Sequence, residues 1–173
     1  MDYITSSMSM IQEIASATRG MNMREDQMLF QLSSKLKDLA TKYNIFIFSS
    51  TQLNGSFKTE TIPDQTLLSG AKAIANRIDF GEIILDLTPE DIETLESKGD
   101  FLQKYGQVNM KCSVYKNRRG KYNRVLLWMY ADKGMCRYET RFVTDYMYND
   151  LTSEILGEID KASKVESEEG ENK

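Results

Sequence analysis

The run Ile45-Phe46-Ile47-Phe48 constrains the fold of this chain more than any other feature. Successive side chains of a strand point to opposite faces, so four large apolar residues in a row predict a strand covered above and below, as in a parallel sheet. The residues before it predict a helix. Asn22 reads as an N-cap, with Glu25 three positions on in the manner of a capping box. From there Met28, Leu29, Leu32, Leu36, Leu39, Ala40 and Tyr43 recur on one face, while Lys35, Lys37, Asp38 and Lys42 take the other. A shorter helix is expected over 7–18. After the apolar run come Ser49-Ser50-Thr51-Gln52-Leu53-Asn54-Gly55, small and polar residues where α/β proteins hold their ligands.

Leu67 to Asn76 then predicts a short helix, and Glu82-Ile83-Ile84-Leu85 a second buried strand. Thr88-Pro89-Glu90-Asp91 combines a cap, a first-turn proline and two acids at the positive end of a helix, so a brief helix starts there. The polar stretch on to Gly106 reads as an insertion. Val108 to Tyr115, Arg124 to Tyr130 and Met135 to Val143 predict three strands joined by turns at Arg119-Gly120 and Lys133-Gly134, an antiparallel meander. The expected class is α/β, parallel strands with helices followed by that meander. One domain is expected over 1–156 and a disordered acidic tail over 157–173.

Composition narrows the chemistry. There is no histidine, and neither Cys112 nor Cys136 belongs to a CxxC pair. Zinc sites and Ser-His or Cys-His hydrolases are thereby excluded, and catalysis falls to carboxylates, lysine, arginine or a bound nucleotide. Both cysteines stand in strand-like apolar surroundings and are expected as reduced core thiols. No apolar run approaches the ~18 residues of a membrane span, and no basic, apolar leader opens the sequence, so a cytoplasmic location is expected. The formal net charge is −4, yet it is unevenly placed. Residues 158–173 carry six acids against three lysines, whereas Gln107 to Ala131 hold Lys111, Lys116, Arg118, Arg119, Lys121 and Arg124 and no acid. An acidic protein can still present a basic surface there.

Six segments, in order, resemble a known family. Asp2-Tyr3-Ile4 is similar to the end of a Walker B strand, and Lys35-Leu36-Lys37-Asp38-Leu39-Ala40 to the helix preceding the next strand. Ser50-Thr51-Gln52-Leu53-Asn54 resembles a glutamine-bearing strand end. Ser69-Gly70-Ala71-Lys72-Ala73-Ile74-Ala75-Asn76-Arg77 resembles a DNA-facing segment. Tyr115-Lys116-Asn117-Arg118-Arg119-Gly120 matches a Lys-Asn-Arg hairpin, and Arg141-Phe142-Val143-Thr144-Asp145 a closing strand. Together they resemble the C-terminal RecA-like motor of DnaB-type replicative DNA helicases, over residues 2 to about 148. On that resemblance the chain would be an incomplete RecA-like P-loop NTPase core, beginning just inside Walker B.

The resemblance implies a hexameric helicase that couples ATP hydrolysis to translocation on single-stranded DNA and to duplex unwinding. Its partners would be identical subunits in a ring, primase and a helicase loader, and its cofactors ATP and Mg²⁺. Asp2 would hold the metal of Mg-ATP, and Gln52 would sense the γ-phosphate. Ser69, Gly70, Ala71, Lys72 and Arg77 would line the DNA channel. Lys116 and Arg118, two apart and hence on one side of an extended strand, would act in trans as a finger on the neighbour's nucleotide. Without the family, Gln52 is a polar strand-end residue, Lys72 and Arg77 a solvated helix face, and Lys116 and Arg118 hairpin charges in water.

The sequence departs from the family in three places, one of them the absence of the upstream glutamate that the family uses to polarise water. It contains no G-x-x-x-x-G-K-[ST], so an isolated chain is expected to be inactive. Leu67 and Leu68 stand near where many relatives have an arginine before the Ser-Gly. Two rivals remain: a RecA-type recombinase ATPase, and a non-catalytic remnant or accessory module that binds DNA or caps a ring.

Overall fold

A computed structural model of the chain describes residues 13, 16, 25–55, 63–68 and 72–171. Of the helix expected over 7–18, only Glu13 and Ser16 are described, and both are helical. The chain divides into two compact units, residues 1–81 with 115–119, and residues 82–114 with 120–173.

In the first unit, helix α1 spans Glu25–Tyr43. Its apolar stripe is only half used. Leu29 and Leu32 are buried, whereas Leu39 and Tyr43 lie open to solvent. Asn44 ends the helix in the left-handed region at φ 50°, and the Ile45 N–H reaches back to the Ala40 carbonyl at 3.1 Å. That six-to-one bond satisfies a carbonyl the helix leaves free. A 3₁₀ turn at Gln65–Leu67 is capped by the Asp64 carboxylate on the Thr66 N–H. Helix α2, Lys72–Ala75, follows, with Ile74 and Ala75 buried.

The sheet has four strands, β1 Phe80–Asp86, β2 Met110–Asn117, β3 Val125–Asp132 and β4 Arg137–Asp145, in the order β1-β2-β3-β4. Every neighbouring pair is antiparallel. Val114 faces Val125 and Met110 faces Met129 across β2 and β3, and Val125 faces Asp145 across β3 and β4. At the ends of the β1–β2 pair, the Arg118 N–H donates to Asp79 O (2.9 Å) and the Leu87 N–H to Asn109 O (3.1 Å), so the two strands run in opposite directions. Gly81 is required in β1, because a Cβ there would collide with the Tyr115 ring and with Ile78.

This overturns the expected fold class. Among the described residues there are no parallel strands and hence no RecA-like parallel core. Ile45-Phe46-Ile47-Phe48 belongs to no strand. Ile45 is 52% exposed, Phe46 86% and Phe48 68%. The pattern of a doubly covered strand states what such a segment needs, two covering layers and two hydrogen-bonded neighbours. The described residues supply neither. Glu82-Ile83-Ile84-Leu85 is a strand, but at the sheet's edge, with Gly81 and Ile83 buried and Glu82 and Ile84 exposed. The meander strands lie within about two residues of expectation.

The second unit's core forms where helices cover one face of the sheet. Helix α3, Pro89–Lys98, starts at the Thr88 cap and first-turn proline its sequence predicts, and Asp91 closes a full capping box with Thr88. Helix α4, Phe101–Tyr105, occupies what reads as a polar insertion, and Phe101 lies stacked on Phe142 with ring centroids 5.2 Å apart. Leu95, Phe101, Val108, Leu126, Trp128, Phe142 and Tyr146 form one cluster. The buried Lys111 ammonium pairs with Asp91 at 2.6 Å, tying β2 to the start of α3.

On the other face Val114, Val125 and Val143 meet Leu151 and Ile155, the latter on helix α5, Thr152–Glu171. Residues 157–171, expected as a disordered tail, continue this helix. Its first turns are anchored by Ile155 and by Lys121, which bonds Glu154 and Glu158 at 2.7 Å each, contacts that a reading of the tail's own composition leaves out. Cys112 is buried, as expected of a core thiol, whereas Cys136 is exposed in the β3–β4 turn at φ 50°. No helix among the described residues is long and apolar enough to cross a membrane.

Candidate functional site

The residues with chemical potential gather in the first unit, around the bend that follows β2. Strand β2 carries Lys116, Arg118 follows in the bend just past its end, and both side chains reach the end of α2. The Lys116 ammonium donates to the Ala75 carbonyl and the Arg118 guanidinium to the Asn76 carbonyl (2.7 Å). The last carbonyls of a helix are partial negative charges without intrahelical partners, so they draw cations to that spot.

Asp79, at the foot of β1, completes the arrangement. Its main-chain carbonyl takes the Arg118 N–H, and its carboxylate is hydrogen-bonded by Lys37 of α1 and stands 3.9 Å from the Arg118 guanidinium. The Lys37 hydrogen bond holds the Asp79 carboxyl below its ordinary range, and the charges of Lys37, Arg119 and Arg118 assist, against the opposing effect of burial. Partial burial lowers Lys116, the charge of Arg118 adds to this, and Asp79 opposes it. Lys37 and Arg118 therefore share one carboxylate, with Lys116 held beside Arg118 on the carbonyls at the end of α2. That is a local excess of positive charge suited to a polyanion.

Sequence reasoning singled out Lys116 and Arg118 but took Lys37 for a solvated helix face and passed over Asp79. Asp79 becomes visible only once 79–86 is paired antiparallel with 110–118, a register that places it opposite Arg118.

The other sequence-derived candidates fall elsewhere. Gln52 is exposed and precedes a short bridge in which Leu53 pairs with Leu68. Asn54 is tied to the same segment, its N–H to Leu67 O (2.7 Å) and its amide to Thr66 O (2.9 Å). The Gln52 segment thus adjoins the stretch that leads into Ser69. Asp2, Ser69, Gly70 and Ala71 lie outside the described residues, and Lys72 is described only as the first residue of α2. Arg77 sits just beyond α2 with its guanidinium 4.7 Å above the Phe30 ring, an arrangement that favours a cation.

The described groups fit a nucleotide's phosphates better than a resident metal. Phosphate oxygens are natural acceptors for ammonium and guanidinium donors. Among the described residues no three acidic or cysteine side chains converge in a way that could hold a metal ion. The Mg²⁺ ligand expected at Asp2 lies outside them.

No family model matches the chain, and no solved structure matches it. It is 35% identical over 161 residues to the SPbeta prophage-derived uncharacterized protein YorI of Bacillus subtilis (strain 168). The match takes in 90% of this chain but spans only 31% of the relative's length.

Proposed function

We propose that this chain is part of a ring-forming, ATP-driven DNA helicase of the cytoplasm, related to the DnaB type, and that its Lys116-Arg118 hairpin serves the nucleotide bound by a neighbouring subunit. The observation that carries the reading is the cation cluster. Lys116 and Arg118 converge on the carbonyls at the end of α2, and Lys37 joins Arg118 at the single carboxylate of Asp79. In this reading Arg118, with its planar fork of donors, stabilises charge on the transferred phosphoryl group, and Lys116 adds a second positive charge.

The antiparallel sheet lends this proposal no support. It rests on the cluster and on the ordered residue motifs. The phosphate-binding loop absent from these 173 residues would lie elsewhere in a longer polypeptide, and a relative of which this chain spans 31% has the length for one. Gln52, bridged to the segment before Ser69, would report the state of the γ-phosphate to a DNA-facing loop. Single-stranded DNA, like subunits, primase and a loader would be its partners.

The test replaces the matched third of YorI with this sequence and measures ATPase activity stimulated by single-stranded DNA. Arg118→Ala is expected to cut turnover by ~10³-fold or more with little change in nucleotide binding. Mixing those subunits with subunits disabled at the nucleotide-binding loop should restore hydrolysis wherever an intact loop meets an intact hairpin. If no mixing ratio restores activity in rings shown to exchange subunits, the trans assignment fails.

A further inference from the structure

We infer that Lys37, Lys116 and Arg118 form one polyphosphate-binding site, and that Asp79 is its built-in competitor, occupying the place the anion takes when it binds. The inference rests on the reading above that this hairpin meets nucleotide phosphates. It adds a cation from another element and a carboxylate that sets the site's affinity.

Lys37 comes from α1 and bonds one Asp79 oxygen, while Arg118 comes from the hairpin and faces the other. Among the described residues Lys116 bonds only the Ala75 carbonyl, next to the Asn76 carbonyl that takes Arg118. One carboxylate carries a single charge and two acceptor atoms, too few for three cations. A phosphate group offers more charge and three or more acceptor oxygens. The remaining partners of Lys116 and Arg118 are neutral main-chain carbonyls, weaker acceptors than a phosphate oxygen.

The donors are also held ready. The Ala75 and Asn76 carbonyls keep the two hairpin side chains together at the end of α2. The Arg118 N–H to Asp79 O bond fixes the base of the hairpin by main-chain atoms alone. A substitution of the Asp79 side chain therefore leaves that bond in place. Because Arg118 is half exposed and Asp79 42% exposed, a ligand can enter from solvent without opening the core.

Asp79 then acts in opposition to the ligand. While it is paired it neutralises part of the cluster, and an arriving phosphate must displace it or bear its repulsion. Removing the charge should strengthen polyphosphate binding by roughly tenfold, the effect of one unit charge several ångströms away in a half-solvated setting. A carboxylate that merely positioned the cations would give the opposite sign.

The experiment titrates the full 173-residue chain with tripolyphosphate at about 0.15 M ionic strength in a calorimeter, without metal. Asp79→Asn is expected to tighten binding about tenfold, while Asp38→Asn, which makes the same change of net charge elsewhere on α1, should stay within about twofold. Lys37→Gln and Arg118→Ala should each weaken binding at least about fivefold. Melting curves establish that each variant is folded, and Lys37→Gln keeps the question decidable if Asp79→Asn is not. Equal or weaker binding by Asp79→Asn, or the same gain from Asp38→Asn, overturns the competitor role. Loss with Arg118→Ala but none with Lys37→Gln overturns the three-cation site while leaving the hairpin's phosphate role standing. An absence of binding by the unaltered chain and by every variant overturns both.

Discussion

Replacing Asp91 by alanine should destabilise the second unit more than any other single change on its surface or at its helix ends. The carboxylate has two duties. One oxygen pairs with the Lys111 ammonium at 2.6 Å, and both side chains are only 4% exposed. The other accepts from the Thr88 N–H (3.0 Å) and hydroxyl (3.2 Å), closing the capping box that starts α3. Breaking a buried pair by removing one partner costs about 3–5 kcal/mol, because an ammonium is left in a dry site without its counter-charge. Loss of the cap alone is worth about 1 kcal/mol and overlaps with that figure. A total near 4 kcal/mol is a large fraction of the ~5–15 kcal/mol that holds a typical domain together. Urea unfolding followed by the fluorescence of Trp128, the only tryptophan, measures it in the core that α3 covers. The double variant Asp91→Ala/Lys111→Met should recover at least about 2 kcal/mol relative to Asp91→Ala, since no charge then remains buried. A cost below about 1 kcal/mol for Asp91→Ala, or a double variant no more stable than the single one, would refute the reasoning.

Two further outcomes follow from the same structure. Burial, with the charge of Glu82 and a hydrogen bond to it, pushes the Cys112 thiol up to about 12, while Cys136 is exposed; a disulfide-exchange reagent at mildly alkaline pH should label one thiol rapidly in the native chain and the second only on unfolding, with Cys136→Ser removing the fast phase, and two fast thiols would contradict the placement. At Asp150 burial works upward, but hydrogen bonds from Tyr105, Thr152 and Lys104 outweigh it and hold the carboxyl well below its ordinary value of 3.8. The folded state therefore binds this proton less readily than the unfolded one, so the stabilisation is complete above that value and fades as pH falls towards the folded pKa. The melting temperature of Asp150→Ala should lie below that of the parent near neutrality, and the difference should narrow in acid; a difference independent of pH would show that the carboxylate's charge is not involved.

What the sequence determined by itself is what local interactions decide. The helix start at Thr88-Pro89-Glu90-Asp91 involves four consecutive residues, and the structure has it where the sequence placed it. The strands of the meander follow from alternation and turn residues close in sequence, and β2, β3 and β4 lie near those bounds. Lys116 and Arg118 were legible as a pair because a period of two puts them on one side of a strand.

The tertiary structure decided everything that depends on a neighbour. Ile45-Phe46-Ile47-Phe48 carries the pattern of a doubly covered strand, but a pattern cannot supply the covering layers, and the described residues leave Ile45, Phe46 and Phe48 exposed. Glu82 to Leu85 reads as a buried strand, and only the sheet order, with β2 as its one neighbour, made it an edge. The same pairing brought Asp79 opposite Arg118, and the packing of α1 brought Lys37 to the same carboxylate from 42 residues away. The acidic C-terminal stretch looked unable to order itself, and Lys121, more than thirty residues upstream, anchors the helix it forms. Periodicity reports how a residue sits on its own element. Which element lies opposite depends on burial and charge pairing across the chain, and there the cation cluster and the antiparallel sheet were settled.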